Sequence, residues 1–420
     1  MTGVSNINTL VANAADLTRK VCTHLPEACN DFTFVSMEKD IQQKERIYYL
    51  DWLRVSAFGI LILFHCWQPF TNFHWLLSSE NKSIVADIFS VFFHTWRLYL
   101  IFFISGIGTW IAINSRGSNF LKDRFSRLII PFVFGVIVIV PCQYYYQMLQ
   151  KSSEVTFLDF MSNYPKTIIG QVSAFDPFSW ILEFGIHLWY LPSLFIMTLI
   201  TLPLLKRINI NGLSEAFMIR IKESPKLVLL FSLPIIIIII VLKPIFPDYT
   251  SVTDFLTYAC SFVYGFIFIK EHSRLLPVVN KNKSILLALG ILSSLTIIAF
   301  LLDETFRNAA FDPKYNIYHV IVSVPLGLSA FAWTLYFVSL FSRKFNFNVP
   351  ILAELNKSIL PVYILHQSII VVAGYYIIKY VENGLLEFAL IVLITIISLI
   401  VIYNFIKLFK ATRFLFGMKN

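Results

Sequence analysis

The chain has 420 residues, of which 57% are hydrophobic and only 14% charged, and its mean hydropathy is +0.70. That is far too apolar for a soluble fold, which must cover itself with a polar shell. The net charge of +9 would suit a nucleic-acid partner, but its distribution along the chain argues for a membrane topology instead.

Apolar stretches of about 20 residues, long enough to cross ~30 Å of hydrocarbon as helices, recur with short polar interruptions. They fall at about 49–69, 86–112, 128–148, 180–204, 226–245, 252–269, 284–302, 316–341, 358–378 and 385–408. The expected fold is all-α, a polytopic integral membrane bundle of about ten transmembrane helices. Residues 1–45 are mixed polar sequence without the n-region and h-region of a cleavable leader, so a polar cytoplasmic N-terminal tail is expected, and the first helix should remain as an anchor. The connectors on the tail's side, 114–127, 206–226, 270–283, 342–357 and 407–420, hold twenty Lys and Arg against seven on the opposite side. Both termini are therefore placed in the cytoplasm, and the basic surplus needs no nucleic acid. The expected division is a tail at 1–45, a ten-helix domain at 46–410 and a short cytoplasmic C-terminal tail at 411–420. Cys66, Cys142 and Cys260 fall in or beside helices, and Cys22 and Cys29 lie in the tail. These positions offer neither a disulfide framework nor metal-ligand spacing. No metal or permanently bound cofactor is expected.

The first predicted helix carries DWLRVSAFGILILFHCWQPF (51–70), whose charged groups need partners or tasks in lipid. Arg54 and His65 are eleven residues apart, so they share one face and stand about 16 Å apart along the axis, Arg54 toward the cytoplasm. Asp51, three residues before Arg54, is placed to pair with it. A capping ion pair and a headgroup-level histidine would account for these residues separately; a shared ligand would account for the stripe.

In the second helix, FHTWRLYLIFFISGIG sets Arg97 about eleven residues inside the span, facing the bundle interior or a wet cavity. Ser105 and Gly106 form a small-residue surface for close backbone approach. In the following turn, SRGSNFLKDRFSRLIIP, Arg124 and Arg127 stand at i and i+3 with Lys122 nearby, either a fork for phosphate oxygens or ordinary cytoplasmic anchoring. The fourth helix opens with WILEFGIHLWYLPSL. There Glu183 and His187 are i and i+4, so that the carboxylate can orient the imidazole, and Trp189 and Tyr190 suit a membrane interface or a sugar face. In the ninth, SILPVYILHQSII puts His366 and Gln367 near mid-membrane after Pro361, as interior glue or channel lining.

Taken in series, YYLDWLRVSAFGILILFHCWQPF with its Arg-x10-His spacing, FFISG, FLKDRFSRLIIP, HLWYLPSL and VYILHQ resemble the acyltransferase 3 family of membrane O-acyltransferases, over about residues 46–410. Any one motif is weak, and five in order are specific. Arg97 ahead of FFISG is most similar to the branch that includes the periplasmic glucan succinyltransferases. The resemblance implies ten helices and a cytoplasmic acyl-CoA, or similar donor, whose acyl group is moved to carbohydrate hydroxyls outside the membrane. By motif, Arg54 and His65 match the family's Arg-x10-His pair, and Arg124 and Arg127 match its Arg-x-x-Arg loop. Some members carry a hydrolase-like domain after the last helix. This sequence ends about a dozen residues beyond helix ten, so the acceptor is expected to be recognised by the membrane domain or by a separate protein.

The expected reaction moves an acetyl or succinyl group to an extracytoplasmic carbohydrate from an integral protein of a bacterial inner membrane. CoA phosphates would rest on Arg124, Arg127 and Lys122, and the pantetheine arm would pass Arg54. His65 would act as general base, or as nucleophile through an acyl-imidazole. Arg97 is the candidate oxyanion donor. Glu183 and His187 would align the acceptor or supply a second base, Trp189 and Tyr190 would receive it, and Asp51, Ser105 and His366 would support the site. The competing reading is a transporter or flippase for a glycan or lipid-linked substrate, which also needs buried polar residues; against it, those residues cluster in the first four helices and not in inverted halves.

Overall fold

The structure is a computed structural model that describes residues 46–151, 155–170 and 184–418. The site lies within the compact unit of residues 48–420. Among the described residues there is no strand, because in lipid a helix satisfies its backbone within itself.

α1 (Tyr48–Trp67) is an unbroken 20-residue helix with Asp51 in its first turn, complementing the positive end of the helix dipole. Pro69 in the short 3-10 segment Gln68–Phe70 follows its end. Nine stretches, the first of them holding α1, qualify among the described residues as long and apolar enough to cross a membrane, and one runs from Ile84 to Gln150. Its 67 residues would make about 100 Å of helix, roughly three hydrocarbon thicknesses. The chain divides it: α2 (Ile84–His94) and α3 (Arg97–Arg116) form one pass, and α4 (Phe120–Val138) and α5 (Val140–Gln150) the next. The 3-10 turn Gly117–Asn119 lies between them. Gly117 holds φ +53, a region that glycine enters without steric cost. With that stretch divided, the nine give ten segments among the described residues that can cross a membrane, in line with the expected bundle of about ten helices.

The remaining elements are α6 (Phe157–Gly170), α7 (Tyr190–Asn211), α8 (Glu215–Glu223), α9 (Leu233–Leu242), α10 (Val252–Lys270) and α11 (His272–Lys281). They are followed by α12 (Lys283–Leu302), α13 (Glu304–Phe311), α14 (Ile317–Lys344), α15 (Pro350–Tyr380), α16 (Gly384–Ile406) and α17 (Lys410–Leu415). Leu292 and Leu295 on α12, and Ile397, Ile400 and Val401 on α16, are exposed, as residues facing lipid must be when lipid is as apolar as they are.

Three boundaries differ from the sequence expectation. The second predicted span, 86–112, is broken at Thr95 and Trp96. Thr95 Oγ1 turns back to the Phe92 carbonyl at 2.9 Å and meets Ser329 Oγ of α14 at 2.9 Å, so Arg97 starts a helix where a mid-helix position was expected. The ninth span was expected from 358, but α15 begins at Pro350, a residue suited to the first helical turn. The expected tail at 411–420 is docked, at least through its described residues. The Phe416 ring packs on Phe134 of α4 at 5.3 Å, and the Gly417 carbonyl accepts from Arg127 Nε at 3.3 Å.

Two contacts hold the frame around the site. α3 and α10 touch through glycine: a Cβ at Gly106 would collide with the Phe262 carbonyl, and one at Gly265 with that of Phe103. Such backbone-to-backbone packing replaces the hydrophobic drive that lipid removes, and it explains the small-residue surface at Gly106. At the other end of α1, the segment 71–83 is pinned over His65. Glu387 of α16 accepts from Ser79 Oγ at 2.7 Å and from Asn81 Nδ2 at 2.5 Å, and Trp75 lies stacked on the His65 ring at 6.5 Å.

Candidate active site

Arg54, Phe58, Leu61 and His65 recur at steps of four, three and four, which is one face of a straight helix. That face lines two cavities in succession. Arg54 and Phe58 line one, and Phe58, Leu61 and His65 line the other.

The cavity at the Arg54 end has a volume of about 240 Å³ and draws its wall from α1, α3, α4, α7 and α15. It gathers four guanidinium groups, Arg54, Arg116, Arg124 and Arg127, against one carboxylate, Asp51. Arg116 is anchored by Asp123 at 3.4 Å, and Arg127 by the Gly417 carbonyl. Arg124 is different: its Nε and one terminal nitrogen are buried without a hydrogen-bond partner. A buried cation left unsatisfied is costly unless an anion completes it. Lys122 is exposed and is not on this wall; the turn at Gly117 brings Arg116 there, a residue the sequence reading did not single out. The i, i+3 fork of Arg124 and Arg127 does face the cavity, because α4 already starts at Phe120.

The cavity at the His65 end is smaller, about 40 Å³, and is lined by His65, Arg97, His187, Trp189, Tyr190, Tyr249 and Tyr363 with apolar neighbours. Arg97 is 3% exposed. Its guanidinium lies 3.4 Å above the Phe64 ring, and its Nε and one terminal nitrogen have no partner. The ring contact is a cation–π attraction that holds the charge without consuming its donors. Tyr249 comes from the link before α10 and completes this wall. Two non-glycine residues among those described hold positive φ, Ile186 at +44° and Thr250 at +60°. They are chain neighbours of His187 and Tyr249. Strain of this kind, about 1–3 kcal/mol each, persists where surrounding packing enforces it, and it concentrates at sites.

Phe58, Tyr190 and Tyr363 belong to both walls and form a neck between the cavities. The Tyr363 ring meets Phe58 edge-on at 5.9 Å and Tyr190 at 5.6 Å. Tyr190 hydroxyl bonds to Ser105 Oγ, and Tyr363 hydroxyl donates to the His187 carbonyl. The polar stripe of α1, expected to run beside one shared ligand from Arg54 to His65, is thus interrupted by aromatic packing. Tyr190, expected at the acceptor entrance, sits at this neck, and Trp189 is buried, stacked on Tyr258 at 6.1 Å.

His187 is committed elsewhere. Its Nε2 reaches the Ile364 carbonyl at 3.1 Å, and its Nδ1 meets the Gln143 amide nitrogen at 3.2 Å. A carbonyl accepts and an amide N–H donates, so Nε2 carries the hydrogen, Nδ1 is occupied, and no lone pair remains for a base. Gln143 also donates to Ser368 Oγ at 2.7 Å and accepts from Gln367 Nε2 at 3.1 Å, joining α5 to α15. The geometry therefore gives His187 a positioning part at the cavity wall, where the sequence reading offered it as a second base. Glu183, its expected partner, lies outside the described residues. His366 stands behind His65, its Nε2 3.2 Å from His65 Nδ1. Of the residues missed in the sequence, Phe58 was accessible from the α1 periodicity and Tyr363 from its place in VYILHQ. Tyr249 and Arg116 gave no local signal.

Comparison with known proteins identifies the family of the chain. A family model described as an acyltransferase domain, of the acyltransferase 3 type, matches residues 47–404. Glucans biosynthesis protein C of Escherichia coli O81 (strain ED1a) is 24% identical over 389 residues, 89% of this chain and 95% of that protein. The proteins of the same name from Escherichia coli (strain K12) and Shigella dysenteriae serotype 1 (strain Sd197) are each 23% identical, with the same coverage of 89% and 95%. No solved structure matches.

Proposed function

The chain belongs to the acyltransferase 3 family and is a membrane acyltransferase; from that premise we propose that it moves an acyl group, acetyl or succinyl, from cytoplasmic acyl-CoA to a carbohydrate hydroxyl on the outer side of a bacterial inner membrane. The observation that carries this reading is the pair of cavities on one face of α1, four arginines at one end and His65 with Arg97 at the other, meeting at Phe58, Tyr190 and Tyr363. The name of the relatives, glucans biosynthesis protein C, favours a glucan as acceptor.

In this reaction the donor's phosphates lie among Arg54, Arg116, Arg124 and Arg127, and fill the vacant donors of Arg124. The pantetheine arm crosses the neck, and the ~16 Å between Arg54 and His65 suits its length. The acceptor hydroxyl gives its proton to His65 as its oxygen bonds to the acyl carbon. Arg97 holds the resulting oxyanion with the donors that have no other partner. The C–S bond then breaks, and the departing thiolate takes the proton back from the imidazolium.

The test is transfer itself. Inside-out vesicles bearing the protein are given acyl-CoA labelled in the acyl group, with glucan enclosed, and the glucan is weighed by mass spectrometry. A mass gain equal to one labelled acetyl or succinyl group per modified site is expected. Movement of unmodified glycan across the vesicle with no such gain would instead make the protein a transporter.

A further inference from the structure

His65 is surrounded by rings that decide where its proton sits. His366, 0% exposed and off the cavity wall, approaches His65 Nδ1 with its Nε2 at 3.2 Å. Its other nitrogen, Nδ1, lies 2.7 Å from the Tyr363 carbonyl one turn back on α15. A carbonyl oxygen only accepts, so that nitrogen carries hydrogen. As a neutral imidazole, His366 then offers nothing but a lone pair at Nε2, and the hydrogen between the two rings belongs to His65. His65 is thereby the Nδ1–H tautomer, with Nε2 bare.

The third ring does not compete. His187 packs edge-on against His366 at 5.1 Å, with planes 89° apart, but its nitrogens are already bonded to the Ile364 carbonyl and the Gln143 amide. It fixes the tilt of His366 while leaving its Nε2 to His65.

We propose that His366 is a positioning residue, which holds His65 in the tautomer whose Nε2 lone pair is free to take the acceptor's proton. The chain of groups runs from the Tyr363 carbonyl through His366 to His65, and the same Tyr363 supplies a ring to the neck. Without His366 as acceptor, His65 loses the side-chain contact that favours hydrogen on Nδ1, and the form with hydrogen on Nε2, which blocks the base, gains in population. The arrangement does what a buried carboxylate does behind a catalytic histidine, orienting the ring and selecting its tautomer, but without adding a charge to the membrane interior.

The inference rests on His65 being the base, and the experiment separates the two. The protein is labelled with 15N at its eight histidines, placed in lipid bilayers and observed by solid-state NMR, with His65→Gln identifying the His65 signals. Wild type is expected to show His65 protonated at Nδ1 alone. In His366→Leu the His65 signals should move to a mixture of tautomers or to Nε2–H, kcat should fall about 100-fold, and KM for the donor should stay within about twofold. In His366→Gln the side-chain carbonyl stands in for Nε2 as acceptor, so the Nδ1–H tautomer and most of kcat should survive. A wild-type His65 protonated at Nε2, or a His65 tautomer unaltered in His366→Leu, overturns the proposal. The spectra decide this even if no acyl transfer to glucan is found, a result that would defeat the functional reading alone.

Discussion

The two cavities on α1 differ in size, charge and finish. The one at the arginine end is about 240 Å³ with four guanidinium groups, and the one at the histidine end is about 40 Å³, with His187, Tyr190 and Tyr363 each held by hydrogen bonds and two nitrogens of Arg97 left without one. A large basic chamber suits a ligand that must be captured and released, because several charge-assisted hydrogen bonds tolerate some slack. A small chamber with fixed tautomers and strained neighbours suits a reacting centre, where displacement of about 1 Å is costly. On the proposed function, binding and chemistry are divided along one helix, with three aromatic rings between them. If the division is right, substitutions in the small chamber act on turnover and those in the large one on donor affinity.

The largest effect is expected at His65. His65→Ala should lower acyl transfer about 10³–10⁴-fold, the scale of losing a positioned base, while donor binding, measured by calorimetry with CoA, stays within about threefold. Transfer above a tenth of wild type would remove the chemistry from the small chamber. Next stands Arg97. Arg97→Gln keeps a donor of similar reach but no charge, and kcat should drop about 100-fold with donor KM little changed. A rise in KM at constant kcat would make Arg97 a binding residue and erase the contrast.

In the large chamber, Arg124→Ala combined with Arg127→Ala should weaken CoA binding about 100-fold, since hydrogen bonds to charged groups contribute about 1.5–3 kcal/mol each. Turnover at saturating donor should change only a few-fold. Unaltered CoA affinity would show that the anion does not lie there.

How legible was this in the sequence? The ten crossings and the common face of Arg54 and His65 followed from hydrophobic length and helical period, because lipid leaves the backbone few alternatives. Arg124 and Arg127 were visible as an i, i+3 spacing, which becomes a fork because α4 begins at Phe120, ahead of the span expected from about 128. What stayed hidden depended on contacts between distant segments. The break at Thr95 involves Ser329, more than 200 residues away. The engagement of His187 involves Gln143 and Ile364, which no local pattern joins to it. Phe58 was on the right face but reads as an ordinary core residue until Tyr190 and Tyr363 close around it.

The smallest expected effect is the sharpest test of the large chamber, because it sets two cations of one turn against each other. Lys122 and Arg116 lie on either side of Gly117, and both look like anchoring charges in the sequence. The structure puts Arg116 on the chamber wall, steadied by Asp123, and leaves Lys122 exposed. An exposed lysine interacts with a distant anion only through screened solvent, whereas a lining guanidinium can touch it. Lys122→Ala should therefore change CoA affinity less than about twofold, while Arg116→Ala should weaken it by about tenfold, the loss of one charge-assisted contact. Equal losses from the two would mean that the loop attracts its anion by net charge alone, and that the geometry of the chamber does not select it.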